Sequence, residues 1–154
     1  MKQLCIIPCG KRKIWDKQPD AGEQKAQDSY IGTFHQLCQQ YARLFFTDWV
    51  IISAKHGFLL PNDIVPENYD LSFSMKKTEV IGIKELQKQI VMKGLSSFEH
   101  IVVLGGKKFK PIVESAFGLE HKYTYPLDEC GGLGYMQRKL KLAIQTNKAI
   151  HTKS

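Results

Sequence analysis

The sequence predicts an α/β protein, a three-layer α/β/α sandwich around a mainly parallel sheet of about four strands. Three observations carry this. Short apolar runs at Leu4–Ile7, Trp49–Ile52 and Ile101–Leu104 each stop at a loop containing glycine and lysine, as buried parallel strands do at their carboxyl ends. The stretches between them place apolar residues at spacings of three and four, the stripe of an amphipathic helix. The order β-α-β-α-β-α-β-α then calls for right-handed crossovers, which put helices on both faces of the sheet.

Taken in order, the first strand gives way to a polar segment, Lys17–Ser29, read as a loop that covers or borders a site. Thr33–Phe46 carries Phe34, Leu37, Cys38, Tyr41, Ala42 and Phe45 on one helical face. After the second strand, Phe58–Phe73 holds Pro61, Asn62, Asp63, Pro66 and Asn68, too many turn formers for a regular element, and reads as a long connection. From Thr78 onward, Val80, Ile83, Leu86, Ile90 and Val91 form the next stripe, with Gly94 as its stop. The third strand, His100–Leu104, leads into a short helix with Phe109, Ile112, Val113, Ala116 and Phe117, where Pro111 falls in the tolerant first turn. Tyr123–Leu127 is the fourth strand. Gly131-Gly132-Leu133-Gly134 then opens a last helix with Leu133, Met136, Leu140, Ala143 and Ile144 inward, and the residues after Asn147 read as a fraying tail.

A chain of 154 residues suits one domain spanning 1–154, and a domain of that size buries roughly 68–70% of its unfolded surface, so it needs no staples. Its 22 Lys and Arg against 15 Asp and Glu leave a formal charge of +7, which favours an acidic partner, nucleic acid above all; a solvated basic surface is the plainer alternative. Since the first strand begins within three residues and no apolar run approaches ~20 residues, neither a signal peptide nor a membrane span is expected, and the location expected is cytoplasmic. Cys5, Cys9, Cys38 and Cys130 form no Cys-x-x-Cys pair, so no metal and no disulfide framework is expected. Cys5 and Cys38 fall in apolar patterns and read as core.

Candidate site residues cluster at the strand ends, where open α/β sheets bind ligands. Cys9-Gly10-Lys11-Arg12-Lys13 reads as a catalytic loop, a phosphate nest or a tight turn with a basic tail. Cations beside Cys9 favour a thiolate, whereas small buried cysteines are common at strand ends. Lys11 is placed to hold phosphate or present an amine. In Ser53-Ala54-Lys55-His56-Gly57, His56 is a candidate general acid and Gly57 allows close backbone approach, against a plain turn capped by Ser53. Asp28-Ser29-Tyr30 and Tyr69-Asp70 offer carboxylates to activate water and rings to stack on a base, or else Asx turns and core cover. Gly105 and Gly106 with Lys107 open a helix whose free N–H groups favour anions. His35, His100, His121 and His151 stand alone in the pattern and receive no role.

The motifs IIPCGKRK, DSYIGTF, WVIISAKHGFLLP, ENYDLSF, VVLGGKKFKPIVE and YPLDECGGLGYMQRKL together resemble a bacterial and phage family of unknown function, over nearly the whole chain. More distantly, Pro8-Cys9, Lys11 or Lys13, Tyr30 and Tyr69-Asp70 are similar to the core domain of archaeosine synthase, near the peroxide-stress DNA-binding proteins and the uracil-DNA glycosylase superfamily. That resemblance implies a single glycosylase-like domain and a nucleic-acid-directed enzyme, foremost a DNA glycosylase for a modified base, with DNA favoured over RNA and no cofactor. Lys11, His56, Asp70 and Asp28 are then the candidates for chemistry. Cys9, Gly10, Arg12, Lys13, Tyr30, Ser53, Lys55, Gly57, Tyr69, Gly105, Gly106 and Lys107 are the candidates for holding the nucleic acid. Two alternatives stay open: an enzyme modifying a nucleotide or deazaguanine base, and a DNA-binding or phage-defence accessory protein without catalysis.

Overall fold

A computed structural model describes residues 2–75 and 79–152. Its main sheet has the order β4-β3-β1-β6-β7, built from β1 (Gln3–Pro8), β3 (Asp48–Ser53), β4 (Gly57–Leu59), β6 (His100–Val103) and β7 (Lys122–Thr124). The four expected strands are all present and parallel to their neighbours, although the fourth, expected to reach Leu127, ends at Thr124, and β4 adds an antiparallel edge on β3. The three-layer α/β/α class is therefore the observed one.

The central strand shows why its run is apolar without alternation. Cys5 and Ile7 point to one face, together with Trp49, Ile51, Val102 and Leu104, and are covered by α3 (Thr33–Phe45) and α6 (Leu133–Thr146) through Cys38, Tyr41, Leu140 and Ala143. Leu4 and Ile6 point to the other face with Val50, Ile52, Ile101 and Val103, under α4 (Ile83–Met92) and α5 (Phe109–Phe117). A strand covered on both sides has no solvent face on which a polar residue is cheap. Each such side chain contributes roughly 1.5–3 kcal/mol by leaving water.

Several expectations need correction. Phe58–Phe73 is not without regular structure: β4 pairs Ile51 with Leu59, and β5 (Ile64–Val65) pairs antiparallel with β2 (Gln24–Lys25). Lys17–Ser29 likewise contains β2 and a single helical turn, α2 (Ala26–Ser29). The β2–β5 pair joins segments about forty residues apart, which local turn propensity does not reveal, whereas β4 folds straight back on β3 as a short hairpin through Ala54 to His56. The expected helix start at Thr78 lies outside the described residues. Val91, expected inward, is 75% exposed, because α4 buries Leu86 and Ile90 and ends at Met92. Leu133, the first residue of α6, also stands outward. The tail is docked: the Tyr41 hydroxyl bonds His151 Nδ1 at 2.5 Å and the backbone N–H of Ile150 at 2.8 Å. Tyr41, Phe45 and Phe46 at the end of α3 form the aromatic surface that receives it. Among the described residues no helix is long and apolar enough to cross a membrane.

Candidate functional site

Because β1, β3 and β6 run parallel, the loops 9–13, 53–57 and 105–108 emerge at one edge of the sheet. The first of them is closed by backbone bonds. Cys9 N–H donates to Ile52 O at 3.1 Å, Ile31 N–H donates to Arg12 O at 3.1 Å, and Lys13 pairs with Tyr30 as an isolated antiparallel bridge. The short helix α1 (Ile14–Lys17) starts there, its Asp16 carboxylate accepting the Lys13 N–H at 2.8 Å, a common helix-start arrangement. With both its backbone neighbours tied, the Lys13 side chain turns inward and is only 2% exposed.

Beside it lies a cavity of about 300 Å³. Cys9, Gly10, Lys11 and Lys13 form one wall, Asp70 to Phe73 with Met75 a second, and Lys108 with Phe109 a third. Lys11, Lys108 and Asp70 are exposed at its rim. Gly105 has a steric reason: a Cβ there stands 2.6 Å from the Phe109 ring, which packs against the strand exit.

A buried hydroxyl chain backs the cavity. Tyr30 and Tyr69 share a hydrogen bond between their hydroxyls, Tyr69 bonds Ser53 Oγ at 2.8 Å, and Ser53 Oγ accepts the N–H groups of Lys55 and His56 at 3.2 and 3.1 Å. Burial pushes both phenols far above their ordinary pKa, so this chain stays neutral. Burial also raises the Cys9 thiol, against smaller opposing effects of the Ala54 N–H and the Lys13 charge. Cys9 is thus held as a thiol. For Lys13 the largest effect is again desolvation, which lowers its pKa, while the Asp16 and Asp70 carboxylates act the other way. Its ammonium lies 4.5 Å above the Tyr69 ring and donates to Lys11 O at 3.1 Å.

The second loop faces differently. His56 stands edge-on to Tyr69 at 5.0 Å and does not line the cavity; its Nε2 is buried with no partner among the described residues. Desolvation first, then Lys55 and Lys93, lower its pKa. Gly57 adopts φ +73°, and a Cβ there lies 2.1 Å from Gln89 Oε1 of α4. Gln89 clamps this turn, donating to His56 O at 2.8 Å and accepting from Phe58 N–H at 2.7 Å. The close approach that Gly57 permits is therefore to Gln89. Lys55 is exposed, its Nζ 5.8 Å from the centre of the Tyr69 ring.

Of the remaining candidates, Arg12 is exposed beside Gly32, and Asp28 is exposed on α2 away from the cavity. Gly106 and Lys107 line a separate cavity of about 400 Å³ with Asp128, Glu129, Gly131 and Gly132. Sequence reasoning named Lys107 where Lys108 lines the first cavity, and it missed Phe73, Phe109 and the clamp Gln89. A one-residue step around the start of α5 separates Lys107 from Lys108, and no pattern in the sequence reports which way that turn faces. Among the described residues no group of three or more His, Cys, Asp or Glu gathers to hold a metal.

Residues 4–141 match a family of unknown function, DUF6884. The chain is also 48% identical over 145 residues to the uncharacterized protein YfjM of Bacillus subtilis (strain 168), an alignment that covers 94% of this chain and 97% of that one. Every wall of the cavity falls inside the matched span, and the chain belongs to the DUF6884 family.

Proposed function

We propose that this protein acts on nucleic acid, binding one nucleotide unit in the cavity at the end of β1 and hydrolysing the N-glycosidic bond of a modified base. The observation that carries the reading is the composition of that cavity: two exposed lysines at the rim, Lys11 and Lys108, one carboxylate, Asp70, and two aromatic rings, Phe73 and Phe109, around about 300 Å³. Rim lysines suit the phosphates flanking an extruded nucleotide, and the rings suit a base taken out of its stack. Asp70 is the group for chemistry, orienting a water or facing the positive charge that develops on the sugar as the base leaves. His56 stands behind Tyr69 and serves as a positioning residue for the wall on which Asp70 follows.

The resemblance of Pro8-Cys9, Tyr30 and Tyr69-Asp70 to the archaeosine synthase core, and the likeness to the uracil-DNA glycosylase superfamily that goes with it, support the same reading. DNA is the favoured polymer, the cytoplasm the expected place, and repair or defence against phage DNA the fitting role. A second reading, modification of a nucleotide or deazaguanine base, is favoured by the pairing of an inward lysine with a thiol on one wall, Lys13 and Cys9.

The test is incubation with DNA carrying a panel of modified bases, with a mass-spectrometric search for released base. Release of one base supports the glycosylase reading. Salt-sensitive binding without release points to a clamp, and tight binding of a free nucleotide favours the second reading.

A further inference from the structure

We infer that Lys13 is an amine nucleophile, forming an imine with an aldehyde held in the cavity, foremost the ring-opened deoxyribose of an abasic site. The inference rests on the nucleic-acid reading for the identity of the sugar, while the amine's reactivity rests on the burial of Lys13 and its place in the cavity wall. Lys13 is nearly without exposure, yet it lines the cavity. Among the described residues it has no ion-pair partner, and its side-chain hydrogen bond is to the backbone oxygen of Lys11. A buried ammonium without a counter-charge is costly, and losing the proton removes that cost.

The charged and titratable groups that face it act in both directions. The Asp16 and Asp70 carboxylates favour the ammonium, the Tyr69 ring attracts it, Cys9 stands by as a neutral thiol, and desolvation outweighs them. Desolvated lysines of this kind are the ones that form Schiff bases. The exposed Lys11 and Lys108 at the rim keep solvated ammonium groups suited to the neighbouring phosphates.

In the step, the lone pair of neutral Nζ attacks the C1′ aldehyde carbon and gives a carbinolamine. Its oxygen leaves as water with two protons, both from the amine, and an imine remains. Protonated by solvent, the imine draws electrons from C2′, so water takes a C2′ proton, a C2′=C3′ double bond forms, and the C3′–O bond breaks to release the phosphate and nick the strand.

The experiment uses the full-length protein with DNA containing a preformed abasic site, borohydride to reduce the imine to a stable secondary amine, and peptide mapping of the adduct. The expected result is one adduct, on Lys13, at about tenfold or more over any other lysine. An adduct on Lys11, Lys55 or Lys108 in its place overturns the assignment, as does no adduct from folded protein. Reductive methylation with formaldehyde, followed residue by residue from pH 6 to 10, supplies a readout free of DNA. Lys13 is expected to react at lower pH than the exposed lysines, and a normal or later onset overturns the inference. Lys13→Gln is expected to abolish trapping while its circular dichroism stays that of the parent. Because the abasic site is preformed, failure of base release and failure of trapping are read separately.

Discussion

The two basic loops that follow β1 and β3 begin alike and end differently. Cys9–Lys13 and Ser53–Gly57 each leave a buried parallel strand at the same sheet edge, and each carries lysine and glycine. In the first, backbone ties to Ile52, Ile31 and Tyr30 turn Cys9 and Lys13 toward a cavity. In the second, Ser53 and Gln89 tie the turn to the protein itself, and His56 ends in a buried packing contact with Tyr69. Residue types alone therefore do not make a site. What the backbone bonds leave free to face the ligand does.

The largest expected difference between the loops is catalytic. On the glycosylase reading, Asp70→Asn loses base release by ~10²–10⁴-fold with binding retained, whereas His56→Gln, which keeps a polar ring-sized group behind Tyr69, loses less than about tenfold. Single-turnover release assays beside binding titrations decide it, and equal losses would erase the contrast drawn between the two loops.

Glycine sharpens the comparison next. Gly57→Ala places a Cβ in the left-handed region and against Gln89, so urea unfolding is expected to show a loss of about 2–4 kcal/mol. Gly10→Ala meets only ordinary contacts, the nearest being His35 Cβ at 3.5 Å, and is expected to cost under about 1 kcal/mol. A result in reverse order would mean that the first loop, not the second, is the rigid one.

The anchor of the first loop should report on pH. His35 Nδ1 bonds Pro8 O at 2.8 Å, its Nε2 accepts from Gln39 at 2.9 Å, and burial lowers its pKa from 6.5 to about 4. The unfolded chain takes up the proton first as pH falls, so this contribution is full above pH 6.5 and is lost on the way down to about 4. The loss expected is on the order of 3 kcal/mol, and His35→Gln should flatten that part of the stability profile. The smallest effect concerns the rim. Lys11→Ala is expected to reduce the salt slope of DNA binding by about one unit, while Lys107→Ala, facing the other cavity, changes it less.

Much of this was legible in the chain. Four strands, their parallel order and the meeting of three loops at one edge follow from apolar runs that stop at glycine and lysine, because burial on both faces demands continuous hydrophobicity. The Tyr69-Asp70 turn is also visible as a motif, and the structure brings Asp70 to the Cys9–Lys13 loop. The β2–β5 pair and the docked tail were not legible, since each depends on partners distant in sequence, and the β4 edge, though its partner β3 is a turn away, is only three residues long and runs into the turn formers Pro61, Asn62 and Asp63.

The sequence by itself determined which residues leave water and in what period, and with them the layers, the sheet and the basic character of its edge. Only the tertiary structure decided that Lys13 turns in while Lys11 and Arg12 turn out, that Lys108 and not Lys107 joins the cavity, and that His56 is walled off by Tyr69. The reason is physical. Periodicity records the environment of a side chain averaged over an element, but the direction of a side chain in a loop is set by the few hydrogen bonds that close that loop, and their partners lie elsewhere in the chain.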